Sequence, residues 1–432
     1  MRKLLVHPAK RLNGAIEVPG DKSISHRAIM LGSLAYGTTR VRHFLPSADC
    51  RSTIGIFRNL GVKITQAGDK VTIHGRGLNS LKPSSKTLDA GNSGTTARIV
   101  LGLLAGQPFT SRLTGDKYLR VRPMKRVVAP LTQMGARITG PDEANHLPLK
   151  VETRKLQGID YPLPIASAQV KSCLLMAGLY AHGKTKVTEP SATRDHTERM
   201  FSFFSIPYRK KGNSVSVTGP IEPFRGQTIH VPGDISSAAF FIVAGLLVPH
   251  SRILLKNVGI NPTRTGILEA LKKMGALISV SPKKTGKGAE PIADITVFSS
   301  HLKATEVGGG MVPRMIDEFP VFAVAATQAQ GTTLVRNAED LKVKESDRIL
   351  MMAITLKKMG ANIEPRPDGW VIKGPTPLKG CRMSSGGDHR VAMSLAVAGL
   401  VAQGPTTILD TENIDTSFPG FENCLSKLAK NA

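Results

Sequence analysis

The chain has 432 residues, 41% hydrophobic and 5% aromatic, and its 58 Lys and Arg against 32 Asp and Glu give a formal net charge of +26. This length suits two or three domains with their own cores, and the apolar content excludes a chain that stays unfolded. The charge points to an anionic partner (nucleic acid, an acidic membrane or small multiply charged substrates), although one Trp is thin for base stacking and most Lys and Arg are expected on solvated surface.

At the N-terminus, MRKLLVHPAK carries charge but lacks the apolar run of a signal peptide. The longest apolar run, AAFFIVAGLLVP (238–249), is too short to span a bilayer, so a cytoplasmic location is expected. Cys50, Cys173, Cys381 and Cys424 have no metal-type spacing and suggest a reducing compartment. Cys173 and Cys424 fall in apolar helical patterns and are expected to be buried thiols. Two basic clusters, Arg209-Lys210-Lys211 and Lys272-Lys273, are expected at helix ends or turns.

An apolar helix, a turn and a strand recur along the chain: IMLGSLAYGTTRV (29–41), IVLGLLAGQPFTSRL (99–113), LLMAGLYAHGKTKV (174–187), FIVAGLLVPHSRIL (241–254), VAATQAQGTTLV (324–335) and AVAGLVAQGPTTI (396–408). A second helix with a glycine stop and a strand alternates with the first: FRNLGVKIT (57–65), LTQMGARIT (131–139), LKKMGALIS (271–279) and LKKMGANIE (356–364). FFSIPYRKK (203–211) reads as a weaker copy with Pro207 where the others have Gly or Ala, and the sixth helix ends the chain. The strands that the sixth copy lacks are expected at the start, in LLVHPAKRLNGAIEV. The fold class is therefore α/β (α+β), in two domains of three repeat units each: 21–230, and 1–20 together with 231–432. The segment VPGD occurs at both expected crossings, as VPGDKSISHR (18–27) and VPGDISSAAF (231–240). Each buried helix is preceded by a polar loop, and unpaired N–H groups at a helix N-terminus favour anions. If the units are equivalent, these six loops point toward a common cleft.

The motifs GDKSISHR, GNSGTTAR, LRVRPMKR, SAQVKS, TRDHTE, KVKESDR and GDHRVAMS, in this order and across essentially the whole chain, resemble the 5-enolpyruvylshikimate-3-phosphate synthase family. The resemblance implies two domains of three βαβαββ units, an inverse α/β-barrel-like enolpyruvyl transferase architecture, and no metal or organic cofactor. It implies transfer of the enolpyruvyl group of phosphoenolpyruvate to the 5-hydroxyl of shikimate 3-phosphate in the shikimate pathway, by a monomeric enzyme without nucleic-acid or membrane partners. Carried over by motif, Lys22, Ser23, Arg27, Ser167, Gln169, Arg194, Asp317 and Lys344 contact shikimate 3-phosphate. Lys22, Gly94 (with Asn92 nearby), Arg122, Gln169, Arg348 and Arg390 contact phosphoenolpyruvate. Asp317 is the expected base at the 5-hydroxyl, Glu345 the proton donor and acceptor at the methylene, and Lys22 a stabiliser of developing charge. His389 is expected to be structural.

One departure from the family pattern is DTSFPGF, which puts Thr416 where members often have a lysine. Alanine at the Gly94 position accompanies glyphosate tolerance in this family, so the glycine implies a sensitive enzyme. The related UDP-N-acetylglucosamine enolpyruvyl transferase would have asparagine where Ser23 stands, and a loop cysteine where this chain has none between Cys50 and Cys173. A basic nucleic-acid-binding protein is the alternative from another class.

Overall fold

The computed structural model describes residues 2–152, 155–286 and 288–430. The six apolar segments form buried helices: Lys22–Leu34, Gly94–Ala105, Ala168–Gly178, Ile235–Leu247, Phe319–Thr327 and His389–Leu400. Five of them open on a side chain (Asp21, Ser93, Ser167, Asp234 or Asp388) that accepts from a first-turn backbone N–H. Such caps matter most where a buried helix end cannot reach water. The sixth, Phe319–Thr327, has Glu318 in the capping position, but the Glu318 carboxylate accepts from Ser236 instead. It also follows a turn of 3₁₀ helix, Gly309–Met311, and a short helix, Val312–Met315, where the sequence suggested a plain loop.

Between these lie the helices Ala48–Asn59, Lys125–Gln133, Gly266–Lys273 and Arg348–Lys358. Each stops at a left-handed glycine: Gly61, Gly135, Gly275 and Gly360 have φ of 85°, 97°, 89° and 93°. The fifth copy, His196–Phe203, corrects the sequence alignment. Ile206 N donates to Phe201 O as Val62 N does to Phe57 O, so Ser205 (φ 59°) occupies the glycine position and Pro207 lies two residues beyond it.

Among the described residues the strands form six sheets, five of four strands and one of three. In every sheet one strand pairs in parallel on one side and antiparallel on the other. The chain divides into two compact units: 1–19, 232–285 and 291–432 form the first, and 20–231 with 286–290 form the second. Each holds three of the sheets and its own apolar core.

In four repeats the strand before the buried helix pairs in parallel with the strand after it: Leu88–Asp89 with Ser111–Thr114, Asp160–Pro162 with Gly183–Thr188, Glu306–Val307 with Gly331–Val335, and Arg382–Ser384 with Thr406–Leu409. At the two VPGD segments the partners are exchanged. Asn13–Glu17, which leads into the first VPGD, pairs with Arg252–Gly259 in the first unit. Thr228–His230, which leads into the second, pairs with Tyr36–Arg42 in the second unit. Lys3–Val6 adds antiparallel to Thr406–Leu409 and completes the sixth sheet. The bend after Asn13–Glu17 requires Gly20, because a Cβ there would lie 1.9 Å from His43 O.

Two local expectations change. Arg209–Lys211 is an exposed strand, paired with Ser214–Gly219, because it follows the stop at Ser205. Cys173 is buried but Cys424 is half-buried, since the helix Phe421–Lys430 covers only one face. Lys272 and Lys273 do end a helix. No helix among the described residues is long and apolar enough to cross a membrane.

Candidate active site

In the second unit, the expected residues gather at the N-terminal ends of its three buried helices. Lys22 opens the first, and its Nζ lies 3.1 Å from Asp49 Oδ2. Arg27, one turn on, is buried. Its Nε donates to Thr197 Oγ1 and its Nη2 to Ser172 Oγ, both at 2.7 Å, and its Nη1 donates to Ser23 O at 2.9 Å. Burial pushes Arg27 down to about 10, with the Glu198 and Asp21 charges opposing and the half-buried Arg194 reinforcing. A buried guanidinium in this setting gains from a bound anion. Asp195 accepts from Arg199 Nε at 2.9 Å. Behind Arg27, buried Lys171 reaches Glu189 at 2.9 Å and Glu198 at 2.7 Å.

Gly94 opens the second helix, and Arg98 and Arg122 crowd its Cα: a Cβ there would meet Arg98 Nη1 at 2.9 Å and Arg122 Nη1 at 3.6 Å. Arg98 Nη1 donates to Gln169 Oε1 at 2.9 Å, and Gln169 Nε2 donates to Thr95 Oγ1 at 3.2 Å. Arg122 Nη2 donates to Asn92 Oδ1 at 3.0 Å. Ser167 caps the third helix by accepting from Val170 N at 3.4 Å. His26 is buried beneath these loops, its Nδ1 2.7 Å from Thr53 Oγ1. Burial, helped by the Lys22 and Arg27 charges, holds it well below the usual histidine range.

In the first unit, Asp317 lies in the turn between Val312–Met315 and Phe319–Thr327, and Lys344 and Glu345 precede Arg348–Lys358. Arg348 joins them. Its Nη2 donates to Glu345 Oε2 at 2.6 Å, its Nη1 to Asp317 Oδ1 at 3.3 Å and its Nε to Asp388 Oδ2 at 2.9 Å. Arg390 Nε lies 3.7 Å from the same Asp317 oxygen. Burial would loosen the Arg348 proton, but Asp388, Glu345 and Asp317 outweigh it and raise its pKa. Burial would likewise raise Asp388, and Arg348 pulls it below the usual carboxylate range. Lys344 is lowered by burial, with Arg348 adding to the effect and Asp317 and Asp340 opposing it. His389 is buried at the start of its helix, and Thr416 Oγ1 donates to Asn413 O at 2.6 Å.

These arrangements offer cations for carboxylates and phosphates, and two carboxylates on one guanidinium for moving protons. Among the described residues, no group of His, Cys, Asp and Glu is placed to hold a metal ion.

A sequence profile described as EPSP synthase (3-phosphoshikimate 1-carboxyvinyltransferase) matches residues 6–425. The chain belongs to the EPSP synthase family. It is 54% identical over 425 residues to the 3-phosphoshikimate 1-carboxyvinyltransferase of Citrifermentans bemidjiense, covering 98% of this chain and 99% of that one. It is 53% identical over 422 residues to the protein of the same name from Bacillus velezensis, covering 98% of each. A solved EPSP synthase from Acinetobacter baumannii superposes with a TM-score of 0.89 at 45% identity, over 99% of this chain and 98% of that one. The mixed α/β fold is thus that of EPSP synthase, with its two-domain inverse-barrel architecture.

Several polar residues that hold the expected ones in this EPSP synthase fold were not singled out from sequence: Asp49, Arg98, Ser172, Thr197 and Asp388. Arg98, Ser172, Thr197 and Asp388 carried a signal, since each stands inside a quoted motif two to four residues from a named contact. Asp49 carried none, being brought in from another helix.

Proposed function

We propose that the chain transfers the enolpyruvyl group of phosphoenolpyruvate to the 5-hydroxyl of shikimate 3-phosphate, releasing phosphate, with Asp317 and Glu345 moving the protons. The observation that carries this reading is the Arg348 guanidinium, bonded to both carboxylates and anchored by Asp388. Asp317 takes the 5-hydroxyl proton as that oxygen attacks the central carbon of phosphoenolpyruvate, while Glu345 protonates the methylene. In the second step Glu345 removes a proton from the new methyl group and phosphate leaves, which restores the double bond. Lys22 and the arginines stabilise the charge that develops.

Shikimate 3-phosphate is assigned to Lys22, Ser23, Arg27, Ser167, Gln169, Arg194, Asp317 and Lys344. Phosphoenolpyruvate is assigned to Lys22, Gly94, Arg122, Gln169, Arg348 and Arg390. The segments 21–230 and 1–20 with 231–432 are assigned as the two domains. Buried Arg27 supports the phosphate assignment, and the crowding of two guanidiniums around Gly94 supports the phosphoenolpyruvate one. The enzyme acts as a monomer in the cytoplasm, and the four free cysteines support the cytoplasmic part of this reading.

A coupled assay of phosphate release from the two substrates tests this reading. Asp317→Ala and Glu345→Ala should each lower kcat by about 10²- to 10⁴-fold, the usual contribution of a positioned acid or base. Wild-type rates in both variants would show that the protons move elsewhere.

A further inference from the structure

We infer that Arg264 is a positioning residue for Asp317, acting through Ser236 and Glu318; the inference rests on Asp317 being the base. The second VPGD segment lacks the cations of the first, yet a cation reaches its helix from another part of the unit. Arg264 Nη2 donates to Asp234 Oδ1 at 3.1 Å and to Ser236 Oγ at 2.6 Å. The Ser236 hydroxyl donates in turn to Glu318 Oε1, which lies 3.8 Å from Arg264 Nη2. All four side chains are buried.

Glu318 is the residue after Asp317, so the backbone between them has its carboxylates held on separate partners. Asp317 is engaged by Arg348 and Arg390, and Glu318 by the Arg264 cluster. The segment is tied upstream as well, since Arg314 Nε donates to Pro262 O at 3.0 Å and its Nη1 to Glu269 Oε2 at 2.8 Å. Asn261 shapes the loop that supplies these contacts, accepting from Thr263 N at 2.9 Å while its backbone carbonyl accepts from Arg264 N at 2.8 Å. The turn NPTR (261–264) therefore grips the Asp317 segment from both sides. Releasing Glu318 would let the turn relax and move the Asp317 carboxylate away from its alignment, a displacement felt in the chemical step before binding.

The test compares Ser236→Ala, Glu318→Gln, Arg264→Lys and Arg264→Met with Asp317→Asn in the phosphate-release assay, with melting temperatures measured alongside. Ser236→Ala removes no charge and keeps the test open if the charge variants fold poorly. Ser236→Ala and Glu318→Gln should lose about tenfold or more in kcat while KM for each substrate stays within about twofold, as a misplaced reacting group does. Arg264→Lys should retain more kcat than Arg264→Met. The double variant Asp317→Asn with Glu318→Gln should be no slower than Asp317→Asn alone, because both changes act on one element. Wild-type kcat with a lowered melting temperature in Ser236→Ala and Glu318→Gln, or losses that multiply in the double variant, would overturn the inference while leaving the base assigned. Wild-type kcat in Asp317→Asn would remove the base itself, and the inference with it.

Discussion

Asp388 Oδ2 accepts from Arg348 Nε at 2.9 Å, while Asp388 Oδ1 accepts from the backbone N–H of Arg390 at 2.8 Å. One buried carboxylate thus orients one arginine by its side chain and another by its helix. Asp388→Ala should lower unfolding stability by about 3–5 kcal/mol, because it leaves the Arg348 charge short of a buried partner. Asp388→Asn keeps the cap acceptor and should lose less. Urea unfolding that places Asp388→Ala level with the wild type would contradict this.

Lys171 stands between two buried carboxylates, Glu189 and Glu198. Lys171→Met should cost about 3–5 kcal/mol, since it strands both charges. Adding Glu189→Gln and Glu198→Gln should recover much of that loss, as a neutral buried cluster has no charge to desolvate. Equal stabilities for the single and triple variants would refute the account.

Buried His26 introduces a pH dependence with a definite sign. Its pKa is depressed in the fold, by burial first and then by Lys22 and Arg27. The unfolded chain therefore binds more protons below the ordinary histidine value of about 6.5, and stability must fall as pH drops through that value. Stability measured between about pH 7.5 and 5 should decline more steeply in the wild type than in His26→Asn. Parallel curves would mean that other groups set the slope.

Glyphosate should inhibit in competition with phosphoenolpyruvate, and Gly94→Ala should weaken glyphosate more than substrate. The physical cause is the 2.9 Å approach of a Cβ to Arg98 Nη1, which the flexible end of that side chain can relieve only by moving. Inhibition kinetics on both proteins would check it. Non-competitive inhibition of the wild type would contradict the assignment of Gly94 to this site.

Local features of the fold were legible in the sequence. Asp21, Ser93, Ser167, Asp234 and Asp388 announce helix starts, and Gly61, Gly135, Gly275 and Gly360 announce stops, because each acts on its own few residues of backbone. The serine stop at Ser205 was misread, since a non-glycine residue in the left-handed region carries no composition signal. The site motifs were legible as loops before apolar helices. Their supports were not. Thr197 under Arg27, Asp49 beside Lys22 and Arg264 beside Glu318 are neighbours only after distant segments pack.

The exchanged strand partners also govern the order in which the protein is built. Asn13–Glu17 is synthesised long before Arg252–Gly259, the strand it must lie beside. At about 5–20 residues per second, its wait is on the order of ten seconds or more. During that interval the stretch 20–231 can close its own core around Thr228–His230 and Tyr36–Arg42. The leading strands meanwhile have unpaired edges, the feature most open to wrong partners in a nascent chain. A newly made molecule thus passes through a stage in which one half lacks only its 286–290 segment and the first-made residues are still waiting to be used.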